Sequence, residues 1–210
     1  MVEYARVAAG ETLLVIGANG GVGTAVAQIG KWRGARVIGV DRQKLRSEAA
    51  SRATFDEFYV LQNQPLESMV RNATDGHGAE VVFDTVGGPM FEPALKSLGH
   101  RGRLLEIASA GDRRVSFDLR DFYHNESQLF GVDTRARDAI GSSALLEALT
   151  PFFEQGTFSA ARNRPDFSFD RRNKGLPGGG PWRGSRAARP HALKRNISAA
   201  AVSYEHMKRA

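Results

Sequence analysis

Along residues 12–155 the apolar and polar positions fall into two rhythms that take turns. Thr12 to Ile16 is a short, nearly unbroken apolar run, the mark of a strand buried on both faces. A helix-like segment follows, and a second apolar run from Arg36 to Val40 closes at Asp41. A polar helix-like stretch is predicted over Gln43–Ala53 and a short strand over Glu57–Val60. Leu66 to Ala73 reads as a helix with Leu66, Met69 and Val70 on one face. Asp75–Gly78 is a turn, and Ala79 to Phe83 is a buried strand that ends in Asp84. Pro89 opens a predicted helix through Leu98, followed by a strand over Gly102–Ile107. Gln128–Asp133 is another apolar run, and Ser142–Glu154 is an amphipathic helix.

Strands apolar on both faces, alternating with helices, imply a parallel sheet covered on each side. Crossovers in such a sheet are right-handed, so the expected fold is α/β, a doubly wound parallel sheet of the Rossmann type over residues 1–160. No internal repeat beyond this alternation is visible. At about residue 160 the character changes, and 161–210 carry turn-formers and arginines with little periodicity. Few aliphatic groups are available there to offset the entropy of ordering, so a disordered basic C-terminal tail is expected.

Charge sharpens that division. Residues 1–160 hold 17 basic and 20 acidic side chains, whereas 161–210 hold 12 and 3, so the net +6 belongs wholly to the tail. There is no cysteine, which excludes disulfides and thiolate metal sites. No run of eighteen apolar residues and no signal-peptide pattern is found, so a cytoplasmic protein without membrane association is expected.

The most informative junction is the first strand-to-helix turn, Gly17-Ala18-Asn19-Gly20-Gly21-Val22-Gly23. Gly17 and Gly20 are expected to allow a tight turn with unusual backbone angles. Gly21 would let the main chain approach a pyrophosphate, and Gly23 would let the helix pack on the strand. N–H groups at the start of the helix would face the phosphates, where the helix dipole favours negative charge. Asn19, Gly20, Gly21, Val22 and Gly23 are therefore cofactor-binding candidates. Asp41, twenty residues after Gly21, could accept hydrogen bonds from ribose hydroxyls, which favours NAD(H). Arg42 follows directly, with Lys44 and Arg46 close by, and a cation there suits the 2′-phosphate of NADP(H). Both cofactors stay open, with NAD(H) the slightly better fit.

Through this turn and the blocks that follow it, the chain resembles the medium-chain dehydrogenase/reductases, in their zinc-independent, quinone-oxidoreductase-like branch. The resemblance covers residues 10–158. It rests on the glycine turn with Gln28-Ile29, then on Gly78-Ala79-Glu80-Val81-Val82-Phe83-Asp84-Thr85-Val86-Gly87-Gly88. Gly102-Arg103-Leu104-Leu105-Glu106-Ile107 and Leu129-Phe130-Gly131-Val132-Asp133 complete it. It implies that Asp84 and Val86 approach the ribose side of the cofactor. It also implies that Ala108, Ser109, Phe130 and Val132 lie near the nicotinamide, burial in the core being an equal alternative for each. It further implies hydride transfer to a quinone, enone or small carbonyl substrate, and a dimer through the Gln128–Val132 strand.

In that family a GroES-like catalytic domain precedes the Rossmann domain, whereas here Met1 stands about ten residues before the first strand. The expectation is a fragment that binds cofactor and is inactive alone, with an exposed apolar face. Two readings of 161–210 stay open: an out-of-frame translation of GC-rich codons, or a basic tail for nucleic acid or an acidic protein. No catalytic residue is assigned. His77, His100 and His124 read as exposed, and no His/Asp/Glu cluster has metal spacing, so zinc is not expected. Tyr204 and Lys208 form the YxxxK pair of short-chain dehydrogenases, but no serine stands thirteen positions upstream, so the match is set aside.

Overall fold

The computed structural model describes residues 4–45, 54–62, 64–133 and 138–159. The basic tail, the Tyr204–Lys208 pair and most of the helix expected over Gln43–Ala53 lie outside these residues. The sheet unit comprises the described residues through Asp138 together with 152–159, while 139–151 belong to a second unit.

Six strands form one sheet in the order β3-β2-β1-β4-β5-β6. They are β1 (Thr12–Ile16), β2 (Arg36–Asp41), β3 (Glu57–Val60), β4 (Ala79–Asp84), β5 (Leu98–Glu106) and β6 (Gln128–Gly131). Every pairing is parallel. The helices are α1 (Gly21–Trp32), α2 (Leu66–Ala73), α3 (Phe91–Lys96), α4 (Leu119–Tyr123) and α5 (Ala139–Glu154). This is the doubly wound Rossmann arrangement expected of the sequence, with order reversing between β1 and β4.

The apolar runs are continuous because both faces of the sheet are buried. On one face Leu14, Ile16, Val82 and Leu104 pack against Val70 of α2 and Leu95 of α3. On the other, Leu13, Val15, Val37, Val81 and Leu105 pack under Val26 and Ala27 of α1. In-register pairs such as Leu14–Val82 and Val82–Leu104 carry each layer across neighbouring strands. Phe152 and Phe158 add an aromatic cluster around Trp32, with ring centroids 5.0 and 5.9 Å from it.

The structure departs from the sequence reading at four places. Gln43–Leu45 are not helical; the carbonyls of Gln43 and Lys44 accept from the Asn19 side chain at 3.0 and 3.2 Å and so face the glycine turn. The helix expected from Pro89 to Leu98 is shorter: Gly88–Met90 form a 3-10 turn and α3 ends at Lys96. Leu98 already pairs with Ala79, so β5 starts four residues early, ahead of a register shift between Ala79 and Val81 and a left-handed Arg101 (φ 60°). Helix α4, capped by the Asp118 side chain on the Arg120 N–H at 2.8 Å, is too short to leave a periodic signature.

Leu104 has no exposed surface and lies at the centre of the α2/α3 layer. Leu104→Ala is expected to lower unfolding stability by about 2–5 kcal/mol, the range for emptying a core leucine site. Urea denaturation followed by circular dichroism measures this, with the slope of the transition unchanged.

Candidate functional site

The carboxyl ends of β1, β2, β4 and β5 bring four loops to one edge of the sheet, and the expected site residues other than Phe130 and Val132 lie on or beside them. The first loop is the glycine turn. Gly17 adopts φ 76°, and a Cβ there would overlap the Thr85 hydroxyl, which donates to the Ile16 carbonyl at 2.8 Å. Gly17 N–H and Ala18 N–H both donate to the Val40 carbonyl, at 2.9 and 3.1 Å, so the chain bends back over β2. Gly23 lies directly over that bend, where a Cβ would stand 2.5 Å from the Gly17 carbonyl oxygen. Gly20, in contrast, has ordinary extended angles (φ −75°, ψ 160°), so its expected unusual backbone is not found.

A Cβ on Gly21 would meet nothing within 4 Å. The main chain is therefore open to a ligand at the point where α1 begins. The first bond that closes a helical turn runs from Thr24 N–H to the Gly20 carbonyl, at 2.9 Å. The N–H groups of Gly21, Val22 and Gly23 thus have no acceptor within the helix. No acidic side chain stands in this first turn, and Val22 is half-exposed. These features fit a diphosphate: N–H donors, the positive end of a helix dipole and bare backbone.

Asp41 ends β2 beside this turn. Its carboxylate accepts from the Asn19 N–H at 3.0 Å and the Gln43 N–H at 3.2 Å. Asn19 thus serves as a brace between the two loops, its amide donating to Gln43 and Lys44 while its main-chain N–H goes to Asp41. Arg42 is exposed in the next position.

Asp84 ends β4 next to Ile16 and is fully buried. Its Oδ1 accepts from the N–H groups of Val86 and Gly87 at 2.7 and 3.0 Å, which shapes the following loop. That loop is laced to the one after β5. Ala110 N–H donates to the Val86 carbonyl at 2.8 Å, and a Cβ on Gly87 or Gly88 would overlap the carbonyl of Ala108 or Ala110. Ala108 and Ser109 are exposed on this double loop. Phe130 and Val132 are half-buried against the α1-side core, and Phe130 also meets the Tyr4 ring at 6.3 Å. His77, His100 and His124 are exposed, as the sequence suggests.

One residue of this edge was not anticipated as a site residue. Glu106 ends β5 in register with Asp84. Its carboxyl is pushed up to about 8, first by burial and then by the charge of Asp84. Burial likewise raises the Asp84 carboxyl, against the pull of the two N–H groups. The signal in the sequence was a lone acid inside the apolar run Leu104-Leu105-Glu106-Ile107.

The profile of the family described as zinc-binding dehydrogenase matches residues 21–149, more than half of the chain. The chain belongs to the zinc-binding dehydrogenase family. Its resemblance to the medium-chain dehydrogenase/reductases, read from the motif blocks, is borne out by the relatives it matches. It is 35% identical over 111 residues to an acryloyl-coenzyme A reductase of Metallosphaera sedula, covering 53% of this chain and 31% of that protein. It is 34% identical over 105 residues to a quinone oxidoreductase-like protein 2 homologue of Nematostella vectensis, covering 48% and 28%. Among solved structures, an NAD-dependent alcohol dehydrogenase is 26% identical with a TM-score of 0.65, over 75% of this chain and 44% of that one. The chain thus spans about a third of the length of these two curated relatives. The family name implies zinc, and the residues do not fit it. The chain has no cysteine, and no group of three or more His, Asp or Glu among the described residues could hold a metal. No helix among the described residues is long and apolar enough to cross a membrane.

Gly21 and Gly23 of the turn separate ligand from fold. Gly23→Ala is expected to cost about 1–3 kcal/mol, because the clash is with backbone that cannot move aside. Gly21→Ala is expected to leave stability unchanged or to raise it by up to about 1 kcal/mol through helix propensity. Thermal unfolding of the two variants side by side checks the contrast.

Proposed function

We propose that the described residues form the NAD(P)-binding unit of a quinone-oxidoreductase-like reductase. The reading rests on one observation above all. Open backbone at Gly21, the start of α1 and the Asp41 carboxylate converge at the carboxyl edge, where the strand order reverses. The N–H groups of Gly21–Gly23 hold the diphosphate, and Asp41 accepts from the adenosine ribose. The double loop of Val86–Gly88 and Ala108–Ala110 supports the nicotinamide half. A bound nicotinamide supplies the hydride; the chain's own residues orient the ring and exclude water from one side of it.

Substrates of the whole reductase are quinones, enones or related small carbonyl compounds, in keeping with the names of the relatives. The group that polarises the substrate carbonyl is contributed from outside the described residues. Self-association along β6 is part of this reading, supported by the exposure of Gln128, Leu129 and Gly131 on that outer strand. NAD(H) is favoured over NADP(H) because Asp41 is a carboxylate at the ribose position, while Arg42 beside it tempers the preference. The cluster of 12 basic against 3 acidic residues in 161–210 favours a second role for the full chain, salt-dependent binding of a polyanion.

Fluorescence titration of the full chain with NADH and NADPH tests the assignment. Both are expected to bind, NADH more tightly, and Asp41→Ala is expected to weaken NADH by about tenfold through loss of charge-assisted hydrogen bonds. Unchanged NADH affinity in that variant removes Asp41 from the site. Turnover of a quinone by the chain alone contradicts the placement of the substrate group elsewhere.

A further inference from the structure

Two acids end adjacent strands, each just ahead of one of the two bonded loops. Asp84 and Glu106 are in-register partners on β4 and β5, so both side chains leave the same face of the sheet. That face is the apolar layer of Ile16, Val82 and Leu104 under Phe91 and Leu95. Asp84 Oδ1 is occupied by the Val86 and Gly87 N–H groups, but Asp84 Oδ2 and Glu106 Oε1 are buried with no donor. Two facing carboxylates are all acceptor and have nothing to offer one another; one added proton turns the contact into a hydrogen bond. Each acid stands just ahead of one loop, Asp84 before Val86–Gly88 and Glu106 before Ala108–Ala110. Those loops are bonded to each other by Ala110 N–H and the Val86 carbonyl.

We propose that Asp84 and Glu106 share a single proton and act as a latch that holds the β4 and β5 loops together beneath the dinucleotide crevice. Glu106 is a positioning residue: it carries the proton and donates to Asp84, whose other oxygen keeps the Val86–Gly87 main chain in place. The neutral form of Glu106 persists to about pH 8. No other charge acts on the pair among the described residues. The flanking register partners are Ile16 on β1 and Gly131 on β6, and the loop groups touching Asp84 are main-chain N–H. When the proton leaves, two like charges are forced together in an apolar layer, and separating them parts the loops.

The sign of the pH effect follows from a raised pKa. Stability from the latch is fully present below the ordinary carboxyl value of 4.5 and declines as pH rises to about 8. The consequence for cofactor rests on the dinucleotide-binding reading above; the shared proton does not.

Glu106→Gln tests both parts, because its amide N–H donates to Asp84 without titrating. Infrared spectroscopy of the full chain at pH 7 is expected to show a protonated-carboxyl band that is absent from Glu106→Gln. Wild-type stability relative to Glu106→Gln should fall between pH 5 and pH 8 and then level off. Wild-type affinity for NADH should drop about tenfold between pH 7 and pH 9, the change in protonated fraction of a group titrating near 8, while Glu106→Gln stays flat. Should Glu106→Gln not fold, Asp84→Asn serves, since its amide donates to Glu106 and its oxygen still accepts from Val86 and Gly87. Absence of the band, or parallel stability profiles, overturns the latch. A band and diverging profiles without NADH binding at any pH support the latch and refute the dinucleotide reading instead.

Discussion

A contact that contains no side chain governs this edge of the molecule. The first turn of α1 rests on the turn that follows β1, with Gly23 so near the Gly17 carbonyl that one methyl group would separate them. Because the approach is backbone to backbone, no rotamer change can relieve a substitution there. The start of α1, with its unpaired N–H groups, is thereby fixed against the turn after β1. A similar economy operates at Gly87 and Gly88, where carbonyls of the neighbouring loop occupy the space a Cβ would need. Bare backbone sets the carboxyl edge on both sides of the β1–β4 boundary.

The parallel sheet makes these local contacts add up. All six strands run the same way, so every carboxyl end and every following loop is delivered to one edge. Burial on both faces fixes register strongly, since a one-residue slip would move each apolar set to the opposite layer. Register then places Asp41, Asp84 and Glu106 at strand ends, with Ile16 and Asp84 as direct neighbours. Rigidity of the apolar layers is therefore what gives the polar edge its geometry.

Most of the sheet was legible in the sequence because its strands are buried on both faces and read as apolar runs between turn residues. Thr12–Ile16, Glu57–Val60 and Leu66–Ala73 have the predicted limits. The first half of β5 was hidden, since Leu98 reads as the end of a helix and the strand as starting at Gly102, and only pairing with Ala79 makes Leu98 strand. The loop at Gln43–Leu45 was hidden for a related reason: its carbonyls are claimed by the distant Asn19 amide rather than by a local helix ladder. At the candidate site the glycine spacing and Asp41 were plain. Glu106 was not, because its character comes first from burial and then from Asp84, twenty-two positions away in the chain and adjacent only across the sheet.

That distance explains why an acid in an apolar strand is tolerated. An isolated buried carboxylate would be strongly destabilising, and a valine at this position would pack without such a cost. Asp84 is stabilised in its charged form by two main-chain N–H groups, although burial opposes that charge. A second full charge beside it has no such support, and neutralisation of Glu106 is the cheaper state. A neutral acid is also a donor, which a valine is not. The strand end thus gains a directional bond to the one residue that shapes the neighbouring loop, where an apolar side chain could offer only volume.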